Sequence, residues 1–303
     1  MTMPRTTANL PRKTREFQNH HMDSTYWNDF AFRDDDVIVS TYGKSGTTWT
    51  QQIVGQLIFA GDPDVRISDI SPWWDMRPVP PEVRDMVRAQ THRRVVKTHL
   101  PADALEISPK AKYLYVARDG RDVAWSMHNH HTGFRAETFE MFNGIPGRVG
   151  EGFGPADPDV HRYFQTWLEQ DGWPWWPFWE NTASWWALRD QPNVKLVHFN
   201  HLKADLEGQM REIAAFLEID LPEAVWPQAI KHCTFDWMKA NADRVAPLGG
   251  APWEGGADTF MHKGTNGRWR DILSADESQA YEAKAEAMLG PECARWLMTG
   301  QAA

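Results

Sequence analysis

A chain of 303 residues, 42% of them hydrophobic, is long enough to bury one large core, and a single α/β domain accounts for it. Its formal net charge of -9 excludes the broad positive field that a nucleic-acid partner asks for, so any anionic ligand has to be met by local basic clusters. Cys233 and Cys293 are the only cysteines and stand far apart, which argues against a disulfide framework and against a zinc site.

Residues 1–22 mix basic, polar and proline residues without the apolar centre of a signal peptide, and no apolar run reaches membrane-spanning length. The chain therefore reads as cytoplasmic, with no membrane insertion. Residues 1–30 form a polar arm with Phe17, Tyr26, Trp27 and Phe30 as anchors, and residues 31–303 form the domain.

The domain opens on the β-branched run 36–41, the signature of a buried parallel strand. It ends at Tyr42-Gly43. Residues 47–60 then place Trp49, Ile53, Leu57 and Phe59 near a helical period. The alternation recurs, with strands at 94–98, 112–117 and 194–199 and helices at 122–130, 206–217 and 276–288. Strands separated by helices predict right-handed crossovers and a mostly parallel sheet with helices on both faces. The glycine- and proline-rich stretches 144–158 and 247–256 read as long surface loops of the kind that act as lids.

A glycine turn between a strand and a helix presents unpaired N–H groups to an anion. Thr41-Tyr-Gly-Lys-Ser-Gly-Thr-Thr-Trp49 is such a turn. A Walker loop would need a glycine at position 38, which is Ile, so the P-loop spacing fails. The string resembles the 5′-phosphosulfate loop of the cytosolic sulfotransferases, with Gly43 where the family has proline. That resemblance implies a P-loop-NTPase-like sulfotransferase fold and 3′-phosphoadenosine 5′-phosphosulfate (PAPS) as the donor, with no metal required. It assigns Lys44, Ser45, Gly46, Thr47 and Thr48 to the 5′ end of the nucleotide.

Further landmarks follow in the family's order. Lys97-Thr-His-Leu-Pro101 resembles the segment that supplies the catalytic base, which the resemblance assigns to His99, with Lys97 holding sulfuryl oxygens. An imidazole near its ordinary pKa of about 6.5 accepts a proton at neutral pH. The stretch from Tyr113 to Ser126 resembles the 3′-phosphate segment, giving Arg118 and Ser126. The resemblance also makes Trp49 and Phe235 stacking partners of the adenine, with Phe199 at the position of a family tyrosine. Near the C-terminus, Phe260-Met-His-Lys-Gly-Thr-Asn-Gly-Arg-Trp-Arg270 adds His262, Lys263 and Gly264, with His262 where the family has arginine. The family's dimer motif is not recognisable after Arg270, which leaves the oligomeric state open.

The reading is thus a PAPS-dependent transfer of a sulfuryl group to a hydroxyl or amine of a small acceptor, with Lys44, Lys97, His99 and Ser126 as the catalytic set. Most of the 17 tryptophans belong to the core at helical spacing, and Trp73, Phe134, Trp179 and Trp253 are the candidates to line an apolar acceptor pocket. Two other readings stay open, a P-loop kinase or NTPase and a non-enzymatic tryptophan-rich carbohydrate-binding or scaffold module. Histidine in place of arginine at 262 predicts that nucleotide binding weakens at high pH. Affinity measured across pH should fall more steeply in the parent than in His262→Arg; unchanged profiles in both would reject the idea.

Overall fold

The computed structural model describes residues 10–301. Its sheet has four strands, β1 (Val37–Thr41), β2 (Val95–Thr98), β3 (Lys112–Ala117) and β4 (Val194–His198), all parallel and ordered β2-β1-β3-β4. Every residue of β1 and β3 is buried, which is why both read as unbroken apolar runs rather than alternating ones. Alternate side chains nevertheless sort to two cores. Val37, Val39, Leu114 and Val116 pack with Ile53, Val54 and Leu57 of α1 (Thr47–Ile58) and with Met210, Ile213 and Leu217 of the helix Leu206–Leu217. Ile38, Tyr113 and Tyr115 face the other way, toward Val123 and Met127 of the helix Gly120–Thr132 and toward the tryptophan-rich segment.

Helices leaving β1 and β3 therefore cover opposite faces. Adjacent strands whose connections part in this way open a crevice at their carboxyl ends, the usual ligand position in such sheets. At the opposite end of the sheet the buried carboxylate of Asp36 accepts from Arg94 Nε at 2.8 Å and from Nη2 at 2.5 Å, tying the base of β1 to that of β2.

Strands β1 and β2 each begin one residue later and α1 ends two residues earlier than the sequence reading has them, and three further elements differ in ways that bear on the site. β4 stops at His198, whose ring accepts from Asn200 N and so caps a short helix, Phe199–Ala204; Phe199 lies in that helix rather than at a strand end. The last helix runs Ala275–Thr299, interrupted at Gly290 (φ 75°) before Pro291, so the Gly-Pro punctuation breaks the helix without ending it. The helix of residues 122–130 begins earlier, at Gly120, with Asp119 accepting from Arg121 N as its cap. The helix at 206–217 has the bounds expected.

Residues 1–9 of the arm lie outside the described residues. From Leu10 onward the arm lies along the domain. Trp27 and Phe30 are buried, Met22 bridges to Met76, and Arg77 N donates to His21 O at 2.8 Å. The loop 144–158 carries no helix or strand and is held by two imidazoles, His131 Nε2 donating to Gly154 O and His128 Nε2 to Asp157 O. The loop 247–256 is clasped to the segment after the helix Gly120–Thr132. Arg135 N and Thr138 Oγ1 both donate to Pro252 O, and Glu254 N donates to Gly133 O.

Removing the Asp36 carboxylate leaves a buried guanidinium without its counter-charge. Asp36→Ala is expected to cost about 3–5 kcal/mol, read by urea unfolding.

Candidate active site

The loop between β1 and α1 takes its shape from two residues in the left-handed region, Lys44 (φ 62°) and Gly46 (φ 114°). Alternating backbone handedness turns successive amides toward one point. No side chain caps α1, so the amides of its first turn have no intramolecular partner from a cap. Gly43 answers a packing demand. A β-carbon there would meet Met127 Cε at 3.1 Å and Trp176 Cζ2 at 3.3 Å, and the proline of the resembling family would displace one of them.

Lys44 rises from this loop half-buried, with Nζ 3.4 Å from His130 Nδ1 and 4.3 Å from the centre of the Phe260 ring. Burial first, then the cations Arg118 and Lys97, push its pKa down to about 7. Lys97, on β2, is lowered to about 8 by burial, with Asp75 pulling the other way. Neither ammonium has a carboxylate within ion-pairing distance among the described residues.

His99 stands one residue past β2. Its Nδ1 lies 2.7 Å from Thr41 O, and since a carbonyl only accepts, the proton sits on Nδ1 and Nε2 is the bare nitrogen. The backbone that carries the ring is pinned from the helix Phe178–Trp186, where Asn181 Nδ2 donates to His99 O and Trp185 Nε1 to Leu100 O. Burial, then Lys97, lowers the imidazole pKa to about 3, so the ring is neutral at ordinary pH. Trp73 stands edge-on to it at 4.5 Å between ring centres, and Trp176 lies 5.4 Å away.

Arg118, past β3, binds three segments together. Nη1 donates to Lys44 O, Nη2 to Thr265 O and Nε to Asn266 Oδ1, while the guanidinium lies 4.4 Å over the Phe199 ring. The same C-terminal loop is held by Asp122, whose two oxygens accept from Gly267 N at 2.9 Å. Ser126, one turn on from Asp122, shares its helix face. Trp49 Nε1 donates to Cys233 O, placing its ring 5.4 Å from Phe199, and a β-carbon at Gly264 would strike the Phe235 ring at 2.3 Å, so Phe235, Gly264, Trp49 and Phe199 share one corner.

A family model described as "Sulfotransferase domain" matches residues 34–290. The chain belongs to the sulfotransferase family. It is 28% identical over 306 residues to a glycolipid sulfotransferase of Mycobacterium tuberculosis, covering 92% of each chain. It is 26% identical to sulfotransferase 1B1 of Mus musculus, over 82% of this chain and 80% of that one. A mouse sulfotransferase crystallised with PAP has the same fold, with a TM-score of 0.68 at 18% identity, over 90% of this chain and 91% of that one.

In this sulfotransferase contacts join Lys44 and Lys97, His99 and Arg118, the ring corner at Trp49, and Trp73, Phe134 and Trp253, while three of the residues singled out from the sequence stand apart. Trp179 is one of these. That ring is 1% exposed and packs against Trp167, Phe178 and Tyr281 in the core, because it faces inward from the first turn of its helix. Trp176, three residues earlier and held by Tyr42 OH donating to its carbonyl, takes the place beside His99. His262 and Lys263 are exposed, and the His262 pKa is lowered by burial and then by Arg268, Lys263, Lys239 and Lys44, so its loss of charge falls below the usual histidine range.

Phe134 and Trp253 form an isolated bridge and flank His130 together with Phe260. His21, Asp75, His130, Trp176, Phe260 and Asn266 were not legible as site residues. Of these, Phe260 and Asn266 lay inside the string Phe260–Arg270, without a role assigned to either.

Proposed function

We propose that this sulfotransferase moves a sulfuryl group from PAPS to a hydroxyl, or an amine, of a small hydrophobic acceptor, with His99 as general base. The observation that carries the reading is the His99 tautomer, a bare and neutral Nε2 between the lysines and the tryptophans.

The residues present suit a nucleotide carrying anions at both ends. The uncapped amides of α1 with Lys44 serve the 5′ end, and Arg118 with Ser126, Lys263 and the Gly264 amide serves the 3′-phosphate. The ring corner of Trp49, Phe199 and Phe235 offers stacking faces for a base; Phe199 cannot donate a hydrogen bond there. When bound, PAPS supplies an electrophilic sulfuryl group on a leaving phosphate. Lys44 and Lys97 then neutralise the charge that builds on the leaving and peripheral oxygens. Thr41 holds the His99 ring so that Nε2 takes the acceptor proton as the hydroxyl attacks in line. Anions beside Lys97 offset its repulsion of an imidazolium, raising the His99 pKa from about 3 and making it the stronger base once the site is filled.

The acceptor side is walled by Trp73, Trp176, Phe134, Trp253 and Phe260, which suits an apolar body bearing the hydroxyl. A relative named for a glycolipid substrate supports a hydroxyl on an apolar carrier.

His99→Ala is expected to lower PAPS-dependent transfer by about 10²–10⁴-fold while leaving calorimetric affinity for adenosine 3′,5′-bisphosphate nearly unchanged; full activity in that variant rejects the assignment. The lysines add a pH signature. An anion favours their protonated forms, so affinity is complete below the free pKa values of about 7 and about 8 and declines as pH rises through them. Between pH 7 and 9 the loss should be about tenfold in the parent and smaller in Lys44→Arg, whose guanidinium stays charged. A flat parental profile would count against both lysines.

A further inference from the structure

The arm turns back at residues 19–22, where Asn19 Oδ1 accepts from the amides of His21 and Met22, and this turn places His21 beside the acceptor-side rings with His20 behind it against Phe153. His21 is 2% exposed. It stacks on Phe142 at 3.8 Å and lies 6.3 Å from Trp73 and 6.1 Å from Trp176, the same two tryptophans that flank His99.

Its tautomer follows from a chain of hydrogen bonds. His20 Nε2 lies 2.7 Å from Pro174 O, which only accepts, so His20 carries its proton on Nε2 and leaves Nδ1 bare. That bare nitrogen faces His21 Nδ1 in hydrogen-bond contact, so His21 donates from Nδ1 and its own Nε2 is the lone-pair nitrogen. Burial lowers the pKa of both rings, in keeping with neutral forms. Among the described residues nothing hydrogen-bonds to His21 Nε2, and unlike Nδ1 of His128 and His131 it is not sealed within protein. Two imidazole rings, His99 and His21, each with a bare Nε2, thus border one tryptophan pair. His130 differs, since protonated Lys44 donates to its Nδ1 and leaves Nε2–H as a donor.

We propose that His21 is a specificity-determining residue of the acceptor site, its Nε2 accepting a hydrogen bond from a second hydroxyl of a di- or polyhydroxylated acceptor whose first hydroxyl is held at His99. The inference rests on the sulfuryl-transfer reading for the role of His99. A hydroxyl paired inside an apolar site is worth more than one at a surface, because leaving either partner unpaired there costs its desolvation.

The test is calorimetric, on the full chain saturated with adenosine 3′,5′-bisphosphate, using phenol, catechol, resorcinol, hydroquinone and the monomethyl ether of each diol. At least one diol should bind about tenfold more tightly than phenol, and its monomethyl ether, which keeps the oxygen and loses the donor, should fall back to the level of phenol. His21→Phe should erase the advantage and His21→Gln, which keeps an acceptor oxygen, should restore part of it. The proposal is overturned if all three diols bind like phenol, if the ether keeps the advantage, as a donor such as His130 Nε2–H would allow, or if His21→Phe keeps it. Should His21→Phe fail to fold, the ether comparison in the parent decides. PAPS-dependent turnover of the same compounds is scored separately: its absence alongside a diol preference would sink the proposed reaction and not the role of His21.

Discussion

One guanidinium holds the crevice together. Arg118 is buried, yet its hydrogen bonds go mainly to carbonyl and amide oxygens of Lys44, Thr265 and Asn266, and its nearest carboxylate, Asp122, stands 3.8 Å away. A buried cation served by dipoles keeps most of its charge unneutralised, and burial lowers its pKa accordingly. Lys44 and Lys97 add to the same excess, which a chain of net charge -9 concentrates at one place. The cost of gathering these cations is met by the rest of the fold. Arg118 also fixes the left-handed turn at Lys44, so loop shape and local potential depend on one side chain.

The acceptor side works by the opposite principle. Apart from His130, whose ring meets Lys44, its imidazoles take their proton positions from carbonyls, Thr41 O for His99 and, through His20, Pro174 O for His21. A neutral imidazole among indoles costs far less than a carboxylate would, and a fixed tautomer presents a defined acceptor atom. Asp75 is the exception. It is fully buried, takes the indole N–H groups of Trp27 and Trp73, and has its pKa raised to about 6 by that burial. Its hydrogen bond with Trp73 helps set the ring that stands edge-on to His99.

The loop after β1 was readable because a β-branched run, a glycine turn and a basic residue follow one another there in the chain. Lys44 was visible in this way, as was the parallel sheet from its alternation with helices, whereas Lys97, His99 and Arg118 were picked out by the resemblance of their segments to a known family. What escaped depends on contacts between distant segments. Trp176 and Trp179 carry the same local signal; the prolines at 174 and 177 and the cap interactions of Asp171 with Phe178 N and Trp179 N decide which ring faces the crevice. His21 and His130 belong to no motif, and each acquires meaning only from a partner 86 or more residues away in sequence, as for His130 with Lys44, or from a ring stack. Phe199 was read as the end of a strand because nothing in its neighbourhood announces that His198 will cap a helix.

The clasp between the arm and residues 75–77 carries a consequence for divergence. Strand termini and the first turn of α1 carry the cationic half of the crevice, whereas the arm turn and the two glycine- and proline-rich loops wall the aromatic half. Those peripheral segments lie outside the hydrogen-bonded sheet, so natural drift or laboratory selection can remodel the aromatic half of the crevice while the cationic half at the strand ends is inherited intact.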